Sequence, residues 1–199
     1  MHDYAVFDHN RATIGRWLGV ASIIITGGLT SLFVWLQGST GLDTFAKASV
    51  TTAFVYFCLH WTFNKLVWKL DIISIPNING IWLVKGETLN EDVGVKYEWN
   101  AEIDIEQTWE KISINLKTSK STSSSYTATL AKKSGTKGGW VLHYSYTNNP
   151  ASDQYHELNT HKGYCELIFN SDLKIGEAAY FNNNGRRTFG RMTLDKEVA

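Results

Sequence analysis

The order of apolar and polar residues changes character along the chain. Residues 17–36 hold no charged side chain over 20 positions and show no alternation of period two. Residues 48–64 form a second uncharged run, and Leu66, Val67 and Trp68 extend it past Lys65. A bilayer core of about 30 Å takes about 20 mostly apolar helical residues. Both runs fit that length. Trp17, Trp35, Trp61 and Trp68 stand near their ends, where interfacial aromatics belong. The polar residues 37–47 read as a tight turn between them. The pattern predicts two transmembrane helices over residues 17–70, preceded by a short polar segment, 1–16, that is a helical lead-in or loosely ordered. A helix packed on a soluble core needs a polar face that the first run lacks. A cleaved signal is not expected, because no small-residue cleavage site follows Arg11 and Arg16 and a second apolar run comes next.

Residues 71–79 read as a linker, in which Pro76 pushes Ile75 toward an extended shape. From Gly80 the pattern alternates. Eight strands are predicted, at 81–87, 95–106, 111–118, 124–131, 139–147, 161–169, 174–182 and 187–194. Gly, Asn, Ser and Lys fill the turns, and Asn182, Asn183, Asn184 and Gly185 mark the last hairpin. Tyr97, Trp99, Ala101, Ile103 and Ile105 share one face of the second strand, opposite Lys96, Glu98, Asn100, Glu102 and Asp104. Consecutive strands with one apolar face each bury it most simply by closing. The predicted fold is therefore an all-β, eight-stranded antiparallel up-and-down barrel over residues 80–199, lipocalin-like in its Gly80–Ile81–Trp82 start. A two-sheet sandwich is the alternative.

Composition narrows the function. Lys plus Arg and Asp plus Glu are equal at 19 each, which argues against a DNA or RNA polymer surface. Cys58 and Cys165 fall in different regions, so no disulfide framework is expected. Arg11 and Arg16 precede the first run, and Lys65 and Lys69 close the second. The positive-inside rule puts both termini in the cytoplasm, on a two-pass protein of a bacterial inner membrane.

Counting up and down the barrel gives its two ends different chemistry. The linker end collects Trp82, Ile103, Ile105, Ile112, Trp140, Phe169 and Leu194, which should plug it. The far end collects Tyr97, Trp99, Thr118, Tyr126, Tyr144, Tyr146, Tyr180 and Thr188, with His161, Arg186 and Arg187 from its loops. Aromatic faces stack on bases at about 1–3 kcal/mol each, and arginine forks onto phosphate. A small, planar, anionic ligand such as a nucleotide suits that end. Filler aromatics and solvated arginines are the plainer reading of any one of these residues. His156, His161 and Cys165 match no metal spacing, and no nucleophile–base or phosphate-loop motif is present, so neither an enzyme nor a resident cofactor is expected.

The helical pair, the segment IPNINGIWLV at 75–84 and the final hairpin AYFNNNGRRTFGRMTL at 179–194 together resemble the transmembrane β-barrel effectors of bacterial CBASS anti-phage systems. The resemblance runs over nearly the full chain. It implies that a partner nucleotidyltransferase makes a cyclic oligonucleotide, expected to be a cyclic dinucleotide, as activating ligand and second messenger. It further implies that the barrel binds this ligand, that the protein self-associates, and that contact with membrane lipid ends in loss of inner-membrane integrity. Without the resemblance, the residues support a membrane-anchored, ligand-binding barrel, which also describes a tethered carrier or sensor.

Overall fold

The computed structural model describes residues 1–40, 51–70, 73, 75–133, 139–154, 159–183 and 187–197. The chain divides into two compact units, His9–Ile73 and a second made of Met1–Asp8 together with Ser74–Ala199.

In the helical unit, α1 (Arg11–Thr40) runs for 30 residues. Asn10 opens it by accepting from the Thr13 amide. Its hydroxyls turn back on their own helix: Ser22 donates to the Gly19 carbonyl at 2.7 Å, and Thr26 to that of Ser22 at 2.8 Å. Trp17 and Ile24 are 70% and 69% exposed, an arrangement that suits lipid rather than water. The second helix, α2 (Thr52–Lys65), is shorter than the expected second span. Thr51 is extended and caps it, its side chain accepting from the Phe54 amide, so the helix starts later than the uncharged run. It has 14 residues, which at 1.5 Å each reach only about 21 Å. A 3-10 turn, Val67–Lys69, follows. Among the described residues one helix, α1, is long and apolar enough to cross a membrane. Residues 41–50, including part of the expected turn and the start of the second run, lie outside the described residues.

The other unit is an eight-strand antiparallel barrel: β3 (Gly80–Leu89), β4 (Val95–Gln107), β5 (Lys111–Lys117), β6 (Ser121–Lys132), β7 (Trp140–Pro150), β8 (His161–Phe169), β9 (Ile175–Asn183) and β10 (Phe189–Lys196). Neighbours in sequence are neighbours in the sheet, β10 pairs with β3, and β5 pairs with β6 to close the ring. The predicted strands therefore stand, with ends shifted by a few residues, and the sandwich does not. Period-two patterning carries this result: along the lower half of β4, Ile103, Ile105 and Gln107 are buried while Asp104 and Glu106 are exposed.

One end is packed solid. Trp82 and Phe169 meet with ring centroids 4.9 Å apart, and Ile78, Ile103, Ile105, Ile112, Leu167 and Leu194 are fully buried. The Trp82 indole donates to the Ile78 carbonyl at 3.2 Å. The first residues are not the polar lead-in expected of them. They form β1 (His2–Asp3) and β2 (Ala5–Val6), which join the sheet beside β5 and β6. Tyr4 and Val6 are buried in the barrel.

Candidate functional site

The end opposite the packed base opens into a cavity of about 530 Å³. Its shape follows from pairs of residues facing each other across strands. Gly86 lies opposite Trp99, Gly163 opposite Tyr146, and Gly190 opposite Tyr180. A Cβ at Gly86 would overlap the Trp99 indole, and one at Gly163 would overlap the Tyr146 ring. At Gly190 it would meet the Glu87 carbonyl oxygen and the Tyr180 hydroxyl. Each glycine thus leaves room for a broad ring to lie against the backbone, the cross-strand pairing by which an aromatic covers a glycine. Larger residues there would push the rings into the cavity and fill it.

The polar atoms around these rings are tied into a network. Tyr180 and Thr88 share a hydroxyl–hydroxyl bond of 2.8 Å, and Trp99 meets Tyr180 edge-on at 5.8 Å. Tyr146 donates to Asn182 Oδ1 at 2.6 Å, and Asn182 Nδ2 donates to Thr188 Oγ1 at 2.8 Å. Asn148 Nδ2 donates to Ser121 Oγ at 3.2 Å, while its buried Oδ1 has no partner among the described residues. Burial, above all, holds the Tyr144 phenol well above its ordinary pKa, and the Cys165 thiol beside it is pushed up to about 12 by the same cause. Both stay neutral and protonated. His161 is buried, and its Nδ1 lies 2.9 Å from the Asn159 carbonyl, so that nitrogen carries the proton. Lys120 stands at the β5–β6 turn and brings a cation to the lining.

Of the residues singled out from sequence, Tyr97, Trp99, Thr118, Tyr144, Tyr146, His161, Tyr180 and Thr188 line this cavity. Tyr126 does not. The register slips between Ser125 and Thr127, and this bulge turns Tyr126 outward, where it is 49% exposed with the Lys162 ammonium 5.6 Å from its ring centroid. Arg187 is exposed and absent from the lining. Thr188 and Gly190 take the inward parity, which leaves position 187 the outward one. Arg186 and His156 lie outside the described residues, as does the Asn184–Gly185 part of the last hairpin. Thr88, Leu116, Ser123, Asn148, Asn182 and Met192 also line the cavity, and sequence reasoning did not single them out. For Thr88, Leu116, Asn148, Asn182 and Met192 the signal was parity: each sits an even step from a named aromatic or threonine of its strand or its edge. Among the described residues no group of His, Cys, Asp or Glu is placed to hold a metal ion.

Comparison with known proteins matches both units. The family profile described as Cap15, cyclic dinucleotide receptor domain, matches residues 73–196. The profile described as Cap15, TM helices, matches residues 12–69. CD-NTase-associated protein 15 of Yersinia aleksiciae is 33% identical over 208 residues, covering 98% of this chain and 97% of that protein.

Proposed function

The chain belongs to the Cap15 family, and on that premise we propose that it is a CBASS effector whose barrel binds a cyclic dinucleotide at its open mouth. The observation that carries the reading is the cavity itself. Four rings, Trp99, Tyr144, Tyr146 and Tyr180, stand around a lining that, among the described residues, carries hydroxyls and amides with Lys120 and Glu98 as its charged groups. Rings of this kind stack on bases. Thr118, Ser121 and Lys120 at the β5–β6 turn are suited to phosphate oxygens. The unpartnered Asn148 Oδ1 suits a base N–H. Tyr97, His161, Asn182 and Thr188 complete the site, and Arg186 is proposed as a further phosphate ligand. Among known barrels the site is lipocalin-like in lying in the mouth of a closed meander. The ligand is a signal and not a cofactor, and the protein is not an enzyme.

We further propose that the helical unit enters the inner membrane as a two-pass hairpin with both termini cytoplasmic. Met1–Asp8 and the chain from Ser74 onward belong to one compact barrel. A chain that leaves this barrel and returns to it must cross a bilayer an even number of times. Since α1 is apolar enough to cross, the chain has to come back before Ile75. Arg11, Arg16, Lys65 and Lys69 flank the excursion on one side, as cytoplasmic charges do. On this reading residues 17–70 form the hairpin, and Met1–Asp8 joins the barrel unit that resumes at Ser74.

A hairpin of two helices cannot enclose a pore alone, so membrane disruption requires several copies. Ligand drives that assembly only by binding the assembled state more tightly. Full-length protein in dye-loaded vesicles tests the proposal. A cyclic dinucleotide should release dye, and a linear dinucleotide should not. Binding without release would leave the tethered carrier or sensor as the better account.

A further inference from the structure

The β-meander closes by direct pairing only near the mouth. β5 and β6 pair from Asn115↔Ser124 to Lys117↔Thr122, and toward the base the N-terminal segment stands between them. His2 and Asp3 pair antiparallel with Ile112 and Lys111 of β5, while Ala5 and Val6 run parallel to Thr129 and Leu130 of β6. The Phe7 amide donates to the Leu130 carbonyl at 2.9 Å. At the top of the gap Ser125 Oγ accepts from the Ile114 amide at 3.0 Å and bonds His2 Nε2 at 2.8 Å. At its foot Gln107 Nε2 donates to the Tyr4 hydroxyl at 3.0 Å, which donates to the Thr108 carbonyl at 3.1 Å. The same Gln107 accepts from the Ile78 amide at 3.0 Å.

The two strands that hold this segment also form the cavity wall above it. Leu116 and Ser123 line the cavity. Ile114 and Ser125 are the next residues of the same parity toward the base, about 7 Å away at ordinary strand rise. The spacing of β5 and β6 at the gap and at the cavity is therefore set by one short stretch of direct pairing.

We propose that the β5–β6 seam is a strand-binding site, filled by the chain's own residues 1–7 and linked to occupancy of the mouth cavity. The linkage rests on the cyclic dinucleotide reading of that cavity. A ligand held by the β5–β6 turn fixes the spacing of the two strands and tightens the grip on the N-terminal strand. By reciprocity, the N-terminal strand holds the wall in its binding geometry and raises ligand affinity from outside the cavity. Asp8 has a φ of 59°, and α1 begins three residues later at Arg11. The seam thus gives the ligand a covalent route to the start of the first membrane helix.

Full-length protein in detergent tests this, with a panel of purine and pyrimidine cyclic dinucleotides and the tightest-binding member carried through. Amide exchange of residues 2–7 should slow on ligand binding. Tyr4→Ala/Val6→Ala should weaken binding at least about 5-fold, the lower end of typical coupling between sites, whereas Tyr4→Phe should stay within about 2-fold of wild type by the same scale. Unchanged affinity in the double variant, with faster exchange at Ile112 and Leu130, would overturn the linkage. If the double variant loses its barrel, Val6→Ala alone takes its place with the same criteria. If wild type binds no member of the panel, the reading of the cavity fails and the linkage with it. The strand-binding site is then judged on exchange alone, since a seam whose amides exchange no faster in the variant is not held by this strand. His2→Cys/Ser125→Cys, in a Cys58→Ser background, decides the occupant. A disulfide within one chain is expected, and disulfide-linked dimers would assign the seam to a second copy instead.

Discussion

The glycine–aromatic pairs make a sharp prediction, because two of them differ in what a new methyl group would meet. At Gly86 the obstacle is the Trp99 ring, and at Gly190 it is the Glu87 carbonyl oxygen together with the Tyr180 ring. A side chain can swing away, and the space open to Trp99 is the 530 Å³ cavity. Gly86→Ala should therefore fold, at an overpacking cost of about 1–3 kcal/mol, with the indole displaced into the mouth. The carbonyl at Gly190 belongs to the β10–β3 ladder, where Arg191 pairs with Glu87, and it cannot move without parting the strands. Gly190→Ala should cost more than the about 1–3 kcal/mol of ordinary overpacking. Gly86→Ala loses one stacking surface of about 1–3 kcal/mol, or about 5- to 150-fold in affinity. Thermal unfolding in detergent and calorimetric titration measure both quantities. A double-mutant cycle isolates the cause: in a Trp99→Ala background Gly86→Ala should cost almost nothing. An equal cost in both backgrounds would refute the claim that the glycine is there to seat the indole.

Other predictions follow from the same geometry. Cys165 has its thiol pKa raised from 9.0 to about 12 by burial, so its contribution is fully present below pH 9 and is lost as pH rises toward 12; wild type should lose stability across that window, and Cys165→Ala should show a flatter melting profile there. Lys120→Ala should weaken cyclic dinucleotide binding by about 1.5–3 kcal/mol, as expected for a charged hydrogen bond to phosphate, and lower its salt dependence. Tyr126→Ala should leave affinity unchanged, because the bulge turns that ring outward, whereas Tyr180→Ala should weaken it.

How far the sequence could be read depended on whether the signal was periodic. Ile103, Ile105, Ile112 and Ile114 alternate with polar residues in long strands, so both their faces and the closed meander were legible. The cavity aromatics followed from the same counting. Tyr126 was misplaced because a single extra residue flips parity, and nothing in the run Ser121–Ser125 marks where the slip occurs. β1 and β2 were missed because strands of two residues have no period, and the partner of His2 lies at Ile112, far along the chain. The three glycines could be seen but not interpreted, since their role depends on which ring sits across the ladder. The second apolar run was overextended because hydropathy does not register the Thr51 cap.

The account depends on whether the barrel mouth takes a cyclic dinucleotide, and one titration addresses it. Full-length protein in detergent, titrated calorimetrically with a panel of cyclic dinucleotides and their linear counterparts, should bind at least one cyclic member saturably. Trp99→Ala should weaken that binding by the stacking contribution of about 1–3 kcal/mol. Absence of binding across the panel, or binding that survives unchanged in Trp99→Ala and Tyr180→Ala, would contradict the assignment of the mouth as the ligand site.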